Sequence, residues 1–171
     1  MSFSLFEASA PVFIRTMTSV SGWLDKAIAE GKSEQAILEA RLADDMRPFP
    51  AQIQMASDSA KNCIARLSGM DAPAMPDTEA SFAELKERCA KTVAFIQSVD
   101  PAAIEGAEDR DIAIKFPNGM GYRFKGRDYV AGFAIPNFFF HVSMTYALLR
   151  AQGVAMTKGD FLQLGPPVKM D

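Results

Sequence analysis

Histidine is nearly absent from this chain: one, His141, stands in 171 residues. A centre built from several imidazoles is therefore excluded, since zinc sites ordinarily take three or four strong nitrogen, sulfur or carboxylate ligands. Cysteine is almost as scarce. Cys63 and Cys89 form neither a close-spaced metal motif nor a disulfide framework, and read as buried free thiols of a reducing cytoplasm. There is no run of lysine and arginine, and the net charge is −3 with a pI of about 5.2, so the basic stripe of a nucleic-acid binder is missing. No serine nucleophile elbow, phosphate-binding loop or dinucleotide glycine pattern occurs. The opening MSFSLFEASAPVF has no basic region ahead of an apolar run, and Glu7 comes early, so it does not read as a signal peptide.

What is present is ordinary globular material, 49% apolar and 23% charged, in a length that suits one domain over residues 1–171. From about Ser4 to Glu30, apolar residues fall at Phe6, Ala10, Phe13, Met17, Val20, Leu24 and Ala27. That alternation of threes and fours is the seam of an amphipathic helix. Pro11 bends it or marks its first turn, and Gly31 ends it. Ser33 caps a short helix to about Glu39. A second long helix starts near Pro48, with Asp44 and Asp45 ahead of its positive end, and closes before Gly69. Its stripe is Phe49, Gln52, Ala56, Ala60, Cys63 and Leu67, which leaves Gln54, Asp58 and Lys61 on the outer face. A third long helix, with Thr78 as its cap, carries Phe82, Leu85, Cys89, Val93, Ile96 and Val99 on one side.

The rhythm then changes. Alternation in Asp111–Phe116 and Tyr122–Lys125 flanks Asn118-Gly119, which predicts a β-hairpin over about 111–125. Two strands alone are marginal in water, so the hairpin leans on the helices. The fourth long helix, from about Arg127 to Gln152, has no charged side chain between Asp128 and Arg150. Asn137, His141, Ser143, Thr145 and a central Pro136 argue against a membrane span and for a buried core helix, bent just before Asn137. The tail, about 154–171, reads as irregular, docked through Phe161 and Leu164.

A helix apolar nearly all round is central, and its polar groups need partners. Asn137 and His141 are four apart and share a face that Thr145 continues, while Gln52 is the inward amide of the second long helix. Gln52, Asn137, His141 and Thr145 therefore make a candidate polar cluster, with Phe138, Phe140 and Tyr146 as aromatic pocket walls. One reading is a site for a small molecule or partner. The other is a buried network that fixes helix register, with His141 neutral because burial disfavours its charge. Cys63 paired with His141, and an ion at Asp44 and Asp45, are weaker alternatives.

The run ARLADDMRPFPAQIQMASDSAK, the segment AIPNFFFHVSMTYALLRAQGV and the closing KGDFL together resemble an uncharacterised bacterial domain-of-unknown-function family. That family is placed in the DinB/YfiT-like superfamily of all-α four-helix bundles, described as metalloenzymes. The resemblance implies such a bundle, here with a short extra helix and a hairpin inserted before the last long helix. It also implies a divalent metal (Zn, Ni or Mn) held by one histidine of the second long helix and a His-x-x-x-His pair on the last. Those positions correspond to Gln52, Asn137 and His141, of which only His141 is histidine, so no cofactor is expected. The expectation is a cytoplasmic, DinB-like bundle that has lost the metal site and binds a small molecule or partner in an interior cleft. The alternative is a thiol-dependent transferase or metal-assisted hydrolase using His141, assisted by Asp44 or Asp45. A homodimer is expected from the superfamily, with Trp23 marking either that contact or core packing.

Overall fold

The computed structural model describes residues 4–116, 118–163 and 169–170. The first apolar seam becomes α1 (Leu5–Ala29), which tolerates Pro11 near its start. Ser4 caps it by accepting from the Glu7 amide, and the Glu7 carboxylate accepts from the Ser4 amide in return. α2 (Glu34–Glu39) follows, capped by Ser33 as predicted. α3 (Phe49–Ser68) starts directly after Pro48 and stops at Gly69, whose φ of +77° favours glycine. α4 (Phe82–Ser98) begins later than the Thr78 cap would place it. Ser81 caps it instead, accepting from the Glu84 amide while the Glu84 carboxylate accepts from the Ala80 amide.

Short 3-10 turns at Pro101–Ile104 and Ala107–Asp109 lead into β1 (Asp111–Lys115), which pairs antiparallel with β2 (Gly121–Lys125). Ile112 and Ile114 turn inward while their neighbours face out, so the hairpin lies on the bundle as its alternation requires. Pro117 lies outside the described residues. Gly126 packs so closely that a Cβ there would sit 1.9 Å from the Ala107 carbonyl oxygen, which pins the end of the hairpin to the preceding turn.

The last long helix is not one regular element. α5 (Gly126–Tyr129) runs into a π-helical turn (Val130–Ala134) and then α6 (Ile135–Ala151). Pro136 therefore sits in the first turn of α6, and the irregularity comes before it. Proline cannot donate to the carbonyl four residues back, at Gly132, and the wide turn absorbs the missing bond. The tail contains structure too. Thr157 and Asp160 form a capping box on α7 (Lys158–Leu162), contrary to the irregular tail expected. Phe161 docks as expected, whereas Leu164 lies outside the described residues.

α1 and α3, and not the apolar last helix, pack on all the other long helices, and the largest single contact is between α3 and α6. Phe13 of α1 meets Phe138 of α6 edge-on at 4.8 Å, and Phe49 of α3 meets Phe82 of α4 at 6.2 Å. Burying each such ring contributes roughly 1.5–3 kcal/mol. Part of the apolar surface of α6 away from α3 is covered as well, by Phe161 of α7 over Phe139 and Tyr146, and the hairpin aromatics cover the preceding turn. Trp23 is buried, stacked on Phe161 at 5.9 Å and edge-on to Tyr146, so it packs the core and marks no surface contact.

The face of α3 assigned to solvent is also covered. Gln54 and Lys61 are buried, as is Arg88 of α4, which is 2% exposed. Arg88 donates to Asp58 at 2.9 Å and to Glu79 at 2.9 Å, and it pairs with Asp77 at 3.0 Å. Gln54 also donates to Glu79, and Ser57 bonds Thr92 at 2.7 Å. This network ties residues 76–79 down over the α3–α4 seam. Burial works to raise the Glu79 carboxyl, but the bonds from Arg88 and Gln54 prevail and hold it below its ordinary range.

A buried arginine paired with carboxylates is costly to remove, so Arg88→Ala should lose about 3 kcal/mol in urea unfolding at pH 7. Because the folded Glu79 carboxyl is depressed, its stabilisation is present above its unfolded pKa and disappears as pH falls through the folded one. Glu79→Gln should flatten the acid limb of the stability curve below about pH 4.5. An unchanged acid limb would show that the pairing contributes nothing.

Candidate functional site

Two hydrogen-bonded bridges join α3 to α6. In the first, His141 Nδ1 lies 2.9 Å from Gln52 Oε1. The Gln52 amide nitrogen donates to the Arg47 carbonyl at 2.9 Å, so the oxygen of that amide must be the atom facing the imidazole. An oxygen can only accept, so His141 carries its proton on Nδ1. That leaves Nε2 with a bare lone pair. Nε2 has no hydrogen-bond partner among the described residues and is not sealed from solvent. Burial lowers the His141 pKa below its ordinary value, which keeps the ring neutral.

In the second bridge, one turn earlier, Asn137 donates through Nδ2 to Ser59 Oγ at 2.5 Å, and Ser59 donates onward to the Met55 carbonyl. The sequence-predicted trio of Gln52, Asn137 and His141 is thus brought to one seam. Thr145 is buried on the same line, but its hydroxyl donates to the His141 carbonyl of its own helix at 3.0 Å and reaches no partner across the seam.

Asn137 and His141 open into a groove of about 290 Å³, near the small end of the ~300–1,000 Å³ usual for ligand pockets. One wall is a stripe of α3, Met55, Ser59, Asn62 and Arg66, at spacings of four, three and four that place them on one face. The opposite wall is Ile114 and Phe116 of the hairpin, with Tyr129, Phe133 and Ala134 around the π turn. Arg66 donates to the Tyr129 hydroxyl at 2.8 Å. Tyr129 and Phe133 stack at 6.0 Å, and Phe124 backs both.

The aromatic walls expected from α6 do not line this groove. Phe138 is wholly buried against Phe13, Tyr146 packs with Trp23 and Phe161, and Phe140 is 52% exposed beside the His141 ring. The residues from FFFH point to different sides because consecutive helical positions are about 100° apart. Asp44 and Asp45 are exposed in the turn before α3 and are not part of the groove lining. Cys63 is fully buried, and burial pushes its thiol up to about 12, with Arg66 pulling the other way. It is an inert core thiol and no nucleophile for His141.

The sequence matches the family described as a domain of unknown function (DUF1993) over residues 5–162. The chain belongs to the DUF1993 family. A comparison with curated proteins matches none. Among solved structures, a DinB family member protein from Shewanella denitrificans has a TM-score of 0.85 and 30% identity, covering 98% of this chain and 96% of that one. The DinB-like helical fold follows from that likeness together with the observed bundle. No helix among the described residues is long and apolar enough to cross a membrane.

In this DUF1993 protein the α3 stripe, Phe116 of the hairpin and the Tyr129–Phe133 pair were the groove residues that sequence reasoning missed. The signal was present: Gln52, Met55, Ser59, Asn62 and Arg66 repeat at helical spacing as a second, mixed stripe beside the apolar one.

A neutral folded histidine makes stability depend on pH with a definite sign. Below its unfolded pKa near 6.5 the unfolded chain binds a proton that the folded chain resists, so stability falls until pH reaches the folded pKa. His141→Gln should remove that slope below about pH 6.5 in thermal unfolding. Gln52→Leu, which strands the imidazole Nδ1–H, should lose about 1–3 kcal/mol at neutral pH. Equal pH profiles for wild type and His141→Gln would contradict the neutral assignment.

Proposed function

We propose that this chain is a DinB-like bundle that has lost the metal site of its superfamily and binds a small organic molecule in the α3–α6 groove. The observation that carries the reading is the donor chemistry at the three superfamily positions. One is an imidazole whose Nδ1 is held by Gln52, one is that glutamine, and one is an asparagine committed to Ser59. Neutral amide oxygens are weak ligands for zinc or nickel, and a single strong nitrogen donor does not make a site. No group of three or more histidine, cysteine, aspartate and glutamate side chains suited to a metal gathers among the described residues. The residues present do not fit the metal. They do fit a pocket of mainly apolar walls with a few placed polar groups.

The second reading is an enzyme, a thiol-dependent transferase or a hydrolase, in which the free Nε2 of His141 is the general base. One observation favours it: His141 lines the groove and its Nε2 is engaged by none of the described residues, the state a general base needs. Cytoplasmic location and a homodimer complete the proposal, and the solution mass from small-angle scattering tests the dimer.

Metal content and calorimetric titration of tag-free protein separate the two site chemistries. The proposal expects no stoichiometric metal as purified and no saturable heat with zinc, nickel or manganese. Stoichiometric metal that is lost in His141→Ala would overturn it.

A further inference from the structure

Within the groove the charges are unevenly matched. Asp58, the carboxylate on its lining, is held by Lys61 at 2.9 Å and by the buried Arg88 at 2.9 Å. Arg66 has no carboxylate partner among the described residues. Its guanidinium is half-buried and oriented by the bond from Nη1 to the Tyr129 hydroxyl, with the guanidinium carbon 5.8 Å from the centre of that ring. A guanidinium carries five N–H donors in a planar fork, and one of them is engaged here. A fixed, partly desolvated cation with free donors at the end of an apolar trough is the arrangement that recognises a carboxylate.

The rest of the trough sets the body of the ligand. Phe116, Phe133, Ile114 and Met55 offer apolar and aromatic surface, and His141 lines the trough as well. On α3 the lining runs from Met55 to Arg66, eleven residues apart on one helix, so the groove extends on the order of 16 Å before side-chain reach is subtracted. We propose that the groove takes an elongated apolar carboxylic acid, such as a medium-length arylalkanoate, with its carboxylate on Arg66 and its body along the hairpin wall. This rests on the groove being a small-molecule site, and it adds the chemical class of the ligand and the anchoring residue.

The test compares one body with three head groups: 6-phenylhexanoate, 6-phenylhexanamide and 6-phenylhexylamine. Affinities come from titration of the full chain, and the site comes from backbone amide shifts at residues 55–66 and 129–141. The acid should bind about tenfold more tightly than the amide, as expected for a charge-assisted pair, with the amine weakest. Arg66→Gln should bring acid and amide within about twofold of each other, the loss expected when the charged partner is removed. Arg66→Lys, which keeps the charge without the fork, should retain an intermediate preference, and Tyr129→Phe, which removes the bond that orients the guanidinium, should also lower it. If acid and amide bind equally and both shift the groove amides, the carboxylate assignment falls while the small-molecule groove stands. If none of the three shifts those amides, the groove reading itself falls and takes the carboxylate with it.

Discussion

The hydrogen bond between Gln52 and His141 is the constraint on which the site depends. It joins the one histidine to a helix that touches every other long helix, and it can form in only one sense because the amide nitrogen of Gln52 is already committed to the Arg47 carbonyl. That restriction fixes the tautomer of the neutral ring, burial keeps the ring neutral, and Nε2 is left with an unengaged lone pair.

Around this bond the fold supplies a wall that a plain four-helix bundle lacks. The hairpin contributes Ile114 and Phe116, and the π turn before Pro136 contributes Phe133 beside Tyr129. Hairpin and π turn are coupled through Phe124, which touches both Tyr129 and Phe133. The network under Arg88 acts from the other side of α3. It satisfies Asp58 from beneath, so the groove's remaining unmatched charge is the guanidinium of Arg66.

Much of this is legible in the sequence. Seams with spacings of three and four define α1, α3 and α4, and alternation about Asn118-Gly119 defines the hairpin, because each is set by local geometry. Gln52, Asn137 and His141 could be paired because a polar group inside an apolar stripe has to find a partner. The misreadings share one physical origin. Gln54, Asp58 and Lys61 look like a solvated face until Arg88 and residues 76–79 cover them, and Phe138, Phe140 and Tyr146 look like pocket walls until their neighbours are known. Burial by elements distant in sequence leaves no local periodicity. The Ser81 cap and the α7 capping box are a different case, since both are short local patterns that compete with equally plausible neighbours such as Thr78.

The most direct test of the central claim is the long-range nitrogen–proton spectrum of the imidazole in uniformly labelled protein, where one histidine gives one unambiguous pattern. The account predicts a neutral ring protonated on Nδ1 at pH 7 that titrates below the ordinary histidine value of about 6.5. A ring protonated on Nε2, or one that takes up its second proton at or above that value, would contradict the Gln52–His141 assignment and the open lone pair that the proposed site requires.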